Sequence, residues 1–152
     1  MNELGHYITP LLEGTGVTLE IFLLTFVLVL PLGLIAALGR LSRFRIVRMV
    51  LEVYIWLMRG TPLMLQLLFV YFALPLAGIK LPDIAAALLA FTLNYTAYFA
   101  EIFRAGIQSI NKGQYEAAHM LGMTYPQTMW HIIIPQMVRR VLPPMSNETI
   151  NL

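Results

Sequence analysis

Three long apolar segments, separated by short polar breaks, dominate the first two-thirds of the chain. The first runs from Thr18 to Leu38 with Glu20 as its only ionisable residue. A helix of 21 residues is about 31 Å long at 1.5 Å per residue, which matches the hydrocarbon core of a bilayer. We therefore predict spanning helices over about residues 17–39, 61–80 and 84–104.

The breaks between the segments carry the residue types that end or begin helices. Arg59 and Gly60 interrupt the apolar pattern before the second segment. Pro62 suits the first turn of a helix, where its missing N–H costs nothing, and Thr61 is a suitable cap. Residues 80–83 form a short turn before the third segment. Pro31 and Gly33 fall inside the first segment, and membrane helices tolerate such residues.

The positions of the basic residues predict the orientation of the helices. Four arginines follow the first segment, and nine of the ten Lys and Arg residues lie at or beyond the same ends of the predicted helices. Because cytoplasmic loops are enriched in Lys and Arg, we expect these ends to face the cytoplasm. The start of the chain and Lys80 are then outside, and the loop over 107–140 is cytoplasmic. The first sixteen residues contain no Lys or Arg, so we expect the first segment to stay in the mature protein.

Composition agrees with an all-α membrane protein. Hydrophobic residues make up 59% of the chain and charged residues 12%. A soluble core of this length could not bury so much apolar surface, although buried helices of a larger soluble protein remain the alternative. The net charge of +2 comes from scattered residues, which argues against nucleic acid as a partner. The chain has no cysteine, which excludes disulfides and thiolate chemistry.

A polar stretch after the third segment predicts two short helices joined by a glycine turn. The first would run over 114–121 and end at Gly122, a residue suited to a left-handed helix stop. Thr124 and Gln127 have the spacing of a capping box, with Thr124 as the N-cap of a second short helix that ends near Pro135. A helix-turn-helix on the cytoplasmic side of a membrane protein is shaped to dock into a partner.

This loop resembles the EAA loop of binding-protein-dependent ABC permeases. That pattern is Glu-Ala-Ala, three residues, Gly, nine residues, then Ile-x-Leu-Pro, and it departs here only in having Ile134 where Leu is preferred. The matching residues are Glu116, Ala117, Ala118, Gly122, Ile132 and Pro135. Residues 54–62 and 98–106 are similar to the polar amino-acid branch of the same family. The fold implied is a multi-helix transmembrane permease with a cytoplasmic helix-turn-helix coupling loop, located in the cell membrane as a multi-pass protein.

The resemblance also implies partners and a mechanism. In that family two permeases pair as a homo- or heterodimer, and cytoplasmic ATP-binding-cassette ATPase subunits grip their EAA loops. An extracytoplasmic amino-acid-binding protein delivers the substrate. The chain contains no Gly-rich phosphate loop, so we expect ATP hydrolysis in a separate subunit. We expect no cofactor, no catalytic residue and no metal site. His119 and His131 lack companions at metal-ligand spacing, and packing is the better interpretation of both.

Polar residues on the third predicted helix are candidates for the substrate pathway. Asn94, Tyr98 and Glu101 recur at i, i+4 and i+7 and so share one face. Together with Thr61 at the break, they could meet an amino acid, since polar groups in a bilayer must face protein or a water-filled path. Hydrogen bonding between helices explains each of them equally well. Arg59 could bind a substrate carboxylate, reach the headgroups or pair with an acidic residue, and we favour a structural role.

The predicted function is that of the permease subunit of an ATP-driven importer for polar amino acids. Residues 146–152 resemble the start of the next spanning helix of the family, so we expect the domain over 1–152 to be incomplete at its C-terminus, truncated after three spanning helices. Three alternatives stay open at this point. They are a permease for methionine or an osmoprotectant, a non-transporting truncated membrane subunit, and a membrane-embedded enzyme, which the lack of paired catalytic groups disfavours.

Overall fold

A computed structural model describes the backbone of residues 3–152 and the side chains of residues 8–152; Met1 and Asn2, where the predicted domain begins, lie outside the described residues. Apart from the short turns between helices, this part of the chain is helical and contains no strand, which confirms the all-α fold. The helices are α1 (Glu3–Arg40), α2 (Arg45–Gly60), α3 (Leu63–Leu68), α4 (Leu74–Leu76), α5 (Asp83–Gln108), α6 (Lys112–Met120), α7 (Tyr125–Thr128) and α8 (Ile134–Asn151).

The long helices α1 and α5 form the centre of the fold. Both are long and apolar enough to cross a membrane. They approach closely at Gly33, where a Cβ atom would lie 2.8 Å from the Cβ of Phe99. Phe99 is fully buried there, with the ring of Phe26 packed edge-on at a centroid distance of 6.4 Å. A small residue at the crossing point is what lets two membrane helices pack backbone to backbone.

The second predicted span, 61–80, corresponds only to the second member of a bent pair of helices, and the helix over 45–60 that precedes it was not predicted. Residues 45–60 and 63–76 meet at an angle of 105°, and the pair counts as a third crossing only if it is taken as one span. The part beyond the bend contains a π-helical turn, Phe69–Ala73, between α3 and α4. Pro75 explains that turn, because it offers no N–H to the carbonyl of Tyr71 and its ring would clash with that carbonyl in a regular α-helix.

The loop after α5 folds as predicted as far as its turn. Asn111 caps α6 by accepting a hydrogen bond from the N–H of Gly113 at 2.8 Å. Gly122 has φ +73°, which confirms the left-handed stop. Its N–H donates to His119 O, and the next N–H, that of Met123, donates to Ala118 O, so the end of α6 is a Schellman motif.

The second short helix does not end near Pro135, contrary to the prediction. α7 passes through a π-helical turn, Met129–Ile133, directly into α8. Pro135 is the second residue of α8, and the carbonyl it would obstruct, that of His131, lies within the widened turn. Proline therefore deforms this helix without stopping it, and the loop is continuous with a long helix.

α8 packs back onto α5 and completes the main core. A Cβ on Gly106 would lie 2.2 Å from Cγ1 of Val141 and 3.0 Å from Cγ of Met137, so these side chains of α8 pack directly against the backbone of α5. Ile133, Met137 and Val141 are almost fully buried at this contact. The loop helices α6 and α7 thus stand on a rigid base made of α5 and α8.

Candidate coupling loop and polar groove

The loop presents an apolar tip to solvent. Ala118 is fully buried and fixes α6 to the fold, whereas Glu116 and Ala117 are exposed on its outer side. Met120 and Leu121, just before the glycine turn, are 86% and 79% exposed. Large apolar side chains on an otherwise polar loop are typical of a surface that a partner covers.

The inner side of the loop is held by packing and by two polar bridges. Tyr115 and Ile132 pack against the main core, and burial raises the pKa of the Tyr115 phenol, which keeps it neutral. Gln136 Nε2 donates a hydrogen bond to Gln114 Oε1 at 3.2 Å and so joins α8 to α6. Arg140 of α8 donates to the carbonyl oxygen of Ser109, at the end of α5. A force on the loop is therefore transmitted to α8 and, through Arg140, to α5.

The predicted loop residues have distinct places in this arrangement. Ala118 and Ile132 face the fold, and Gly122 shapes the turn. Gln127 Oε1 accepts a hydrogen bond from the backbone N–H of Thr124 at 2.8 Å, which is the reaching-back contact that the capping box predicts. Pro135 is exposed and lies at the junction with α8.

Glu101 is the centre of a charged cluster that joins three helices. Arg104, one turn along α5, meets both carboxylate oxygens, with 2.6 Å between its Nη2 and Oε2. Arg40 of α1 lies 3.8 Å away, and Arg59 of α2 lies 4.0 Å away. Arg40 also pairs with Glu52 at 3.0 Å. One carboxylate surrounded by arginines from three helices ties the ends of α1, α2 and α5 together.

A polar groove of about 600 Å³ opens beside this cluster. Its polar lining comes from Arg59, Tyr98, Glu101, Ser109, Arg140 and Glu148. The guanidinium carbon of Arg59 lies 5.2 Å from the centroid of the Tyr98 ring, a cation–π contact. The groove therefore contains two arginines and two carboxylates around one phenol, a mixture of charges suited to a small zwitterion.

Asn94 and Thr61 lie away from that groove, at the bend between α2 and α3. Asn94 is 4% exposed, and its side-chain N–H₂ donates to Met58 O at 3.1 Å and to Gln66 Oε1 at 3.0 Å. Gln66 in turn donates to Met58 O at 2.9 Å and to Thr61 Oγ1 at 2.7 Å. These bonds satisfy a carbonyl that the bend leaves without a helical partner. The predicted polar face is thus divided. Tyr98 and Glu101 line the groove. Asn94 belongs instead to a hydrogen-bonded cluster with Gln66, Thr61 and the Met58 carbonyl, which we call the brace.

Several residues of the groove and the brace escaped the sequence analysis. Gln66 is the only polar amide in the second apolar segment, and that isolation could have singled it out. Glu148 and Arg140 reach the groove because α8 continues past Pro135, where the sequence pattern predicted a helix end. Nowhere among the described residues do three His, Asp or Glu side chains converge as metal ligands would.

The chain resembles known membrane transport proteins over most of its length. Residues 29–152 match the family described as the binding-protein-dependent transport system inner membrane component. A crystal structure of an amino acid ABC transporter with histidines superposes with a TM-score of 0.79 at 38% identity, and the match covers 93% of this chain and 70% of that one.

Curated relatives with matching sequences are permease proteins. The L-cystine transport system permease protein TcyB of Bacillus subtilis is 41% identical over 94% of this chain and 62% of its own length. The arginine transport system permease protein ArtQ of Bacillus subtilis is 42% identical over 93% of this chain and 65% of its own length. The probable glutamine ABC transporter permease protein GlnP of the same organism is 39% identical over the whole of this chain and 72% of its own length. The chain thus spans less than two-thirds of the length of the first two.

Proposed function

The chain belongs to the family of binding-protein-dependent transport system inner membrane components, and we propose that it acts as the permease subunit of an ATP-binding-cassette importer for polar amino acids. The observation that carries this proposal is the exposed tip at Met120 and Leu121, on a loop anchored to both α5 and α8. The chain itself needs no catalytic group or cofactor for this role, because a separate subunit hydrolyses ATP.

The partners follow from the same reasoning. A cytoplasmic ATPase covers Met120 and Leu121, with Glu116 and Ala117 beside them on the outer face of α6. When nucleotide closes the ATPases, the loop moves with them. Because Gln136 ties α6 of the loop to α8, and Arg140 ties α8 to the end of α5, that movement changes how α5 and α8 pack against the rest. A second permease subunit and an extracytoplasmic amino-acid-binding protein complete the assembly.

The substrate contacts the polar groove as it crosses the membrane. The carboxylate of an amino acid suits the planar guanidinium of Arg59, and its ammonium group suits Glu148, which lines the same groove. Tyr98 and Glu101 complete the contact surface, while Asn94 and Thr61 act indirectly by holding the bend that positions Arg59. Relatives named for cystine, arginine and glutamine favour polar amino acids over methionine or an osmoprotectant.

Uptake in cells tests this proposal. Deleting the coding segment for this chain from its own chromosome should abolish binding-protein-dependent uptake of at least one radiolabelled polar amino acid, and restoring the segment should recover it. A restored gene with Tyr98→Phe should keep normal protein levels yet raise the substrate concentration for half-maximal uptake, because it deletes one polar contact in the groove. Unchanged uptake of every amino acid after deletion would contradict the proposal.

A further inference from the structure

A second groove lies between the end of α1 and the start of the α7–α8 helix. It has a volume of about 710 Å³. Its floor is aliphatic and is formed by Leu34, Leu38, Leu41, Met129 and Ile134, and its mouth is formed by Ser42, Arg43, Phe44, Tyr125, Pro126 and Trp130. We call it the α1–α7 groove.

The α1–α7 groove runs across the boundary between lipid headgroups and hydrocarbon. Its mouth lies just beyond Arg40, where the basic cluster marks the inner headgroup level. Leu34, six residues earlier on α1, lies about 9 Å deeper. Tyr125 and Trp130 are 63% and 66% exposed at the mouth, and such amphipathic aromatic rings collect at membrane interfaces. The deep end of the groove is therefore at acyl-chain depth and its mouth is at headgroup depth.

The mouth carries positive charge that the described residues do not neutralise. Arg40, Arg59 and Arg104 all have a carboxylate within 4.0 Å. Among the side chains from residue 8 onward, no acidic group lies within that distance of Arg43, nor of its neighbours Arg45 and Arg48. The guanidinium of Arg43 instead stacks over the Phe44 ring, with its central carbon 5.2 Å from the ring centroid.

A hydrogen-bond donor beside Arg43 adds to this anion-binding character. The oxygen of Ser42 accepts the N–H of Phe44 at 3.2 Å, which leaves its own O–H able to donate to a ligand. A guanidinium fork next to a hydroxyl donor is matched to a phosphodiester, because Arg binds two phosphate oxygens at once.

We propose that the α1–α7 groove binds one anionic phospholipid of the inner leaflet. One acyl chain lies between Leu34 and Leu38 of α1 and Met129 of the π-helical turn, and the phosphate binds Arg43 and Ser42. The charge of the mouth selects this occupant over a neutral lipid. Such a lipid would join α1 to the segment that continues from the coupling loop, and would make the position of that loop sensitive to membrane composition. The inference does not depend on which substrate is transported.

Tryptophan quenching tests the proposal, because the chain has only two tryptophans. Trp56→Phe leaves Trp130, at the mouth of the groove, as the single reporter. The whole chain is reconstituted into nanodiscs of phosphatidylcholine that contain either phosphatidylglycerol with brominated acyl chains or phosphatidylcholine with the same chains. We expect the brominated phosphatidylglycerol to quench Trp130 more strongly at equal mole fraction, and to saturate.

Two arginine variants separate the groove from the general effect of charge. Arg43→Gln should lower the preference for the anionic lipid by roughly fivefold, the usual contribution of one basic residue at an anionic surface. Arg48→Gln removes the same charge from the same cluster but lies outside the groove lining, and should leave the preference nearly unchanged. Arg43→Lys should restore only part of it, because an ammonium lacks the planar fork.

Three results would overturn the inference. Equal quenching by both lipids, unaffected by Arg43→Gln, would mean that the groove is an ordinary lipid contact. Protection of Trp130 from both lipids would mean that a protein surface, such as a second copy of the chain, fills the groove. Loss of the preference on adding inorganic phosphate to the buffer would mean that the mouth is a site for free phosphate.

Discussion

Replacing Gly106 with Ala should loosen the contact between α5 and α8 on which the loop stands. The new Cβ would lie 2.2 Å from Val141 Cγ1, against about 3.5–4.0 Å for carbon atoms at their optimal separation. Val141 cannot easily move aside, because a helical valine has one strongly preferred rotamer. The helices must separate instead, and overpacking of this kind costs about 1–3 kcal/mol.

A matched glycine supplies the control for that cost. Ala is favoured over Gly in a helix by about 1 kcal/mol, which offsets part of the strain. Gly16 of α1 is also helical, but a Cβ there would meet nothing within 4 Å, so Gly16→Ala should show the propensity gain alone. We therefore expect Gly106→Ala to be less stable than Gly16→Ala by about 1–3 kcal/mol.

The assay is unfolding of the purified chain in detergent micelles by added sodium dodecyl sulfate, followed by circular dichroism. Val141→Ala in the Gly106→Ala background removes the clashing methyl group and should recover about 1 kcal/mol more than the two single changes predict. If Gly106→Ala is as stable as Gly16→Ala and shows no coupling to Val141→Ala, that result would contradict the close packing of α5 against α8 at Gly106.

The loop, the brace, the charged cluster and the membrane orientation can each be tested by substitution. Gly122→Ala should destabilise the loop by about 1–2 kcal/mol because φ is +73°, whereas Gly122→Asn should destabilise it less. Amide hydrogen exchange over residues 112–135 compares the two variants, and equal exchange rates would contradict the left-handed stop. Asn94→Leu should lower the free energy of unfolding by about 1–3 kcal/mol in the same assay, because Gln66 Oε1 and the Met58 carbonyl each lose a hydrogen bond from Asn94. An unchanged stability would contradict a stabilising role for the brace. Glu101→Gln should be clearly more destabilising than Glu52→Gln, because Glu101 faces three arginines and Glu52 only one, and equal effects would refute the central role of Glu101. In intact cells, a single cysteine replacing Lys80 should react with an impermeant thiol reagent and one replacing Lys112 should not; the reverse pattern would overturn the orientation.

Much of the fold was predictable from sequence because the bilayer imposes simple rules. Apolar length predicted helices over 17–39 and 84–104, which lie within α1 and α5, and glycine chemistry predicted the stop at Gly122. Proline was the main source of error. The rule that proline ends helices predicted a stop near Pro135, yet the helix passes it through a π-helical turn. The same adjustment precedes Pro75, and sequence spacing alone does not reveal whether neighbouring helices will support a widened turn.

The candidate site was predictable where it depends on one helix and not where it depends on several. Helical spacing predicted that Tyr98 and Glu101 share one face of α5, and both side chains line the polar groove. It could not separate Asn94 from them, because the brace also needs Gln66 and the carbonyl of Met58 from a bend between two other helices. Glu148 and Arg140 reach the groove from α8, which a local pattern cannot foresee.

Cross-linking from the tip of the loop tests the coupling role most directly. The chain has no cysteine, so a single cysteine in place of Leu121, 79% exposed, can carry a photoactivatable cross-linker in native membranes. A cysteine in place of the exposed Gly14, toward the N-terminal end of α1, serves as the control, because we expect that end to lie on the other side of the membrane from the loop. We predict that the Leu121 position cross-links to an ATP-binding-cassette ATPase, identified by mass spectrometry, and that the Gly14 position does not. Equal cross-linking from both positions, or none from Leu121, would contradict the account.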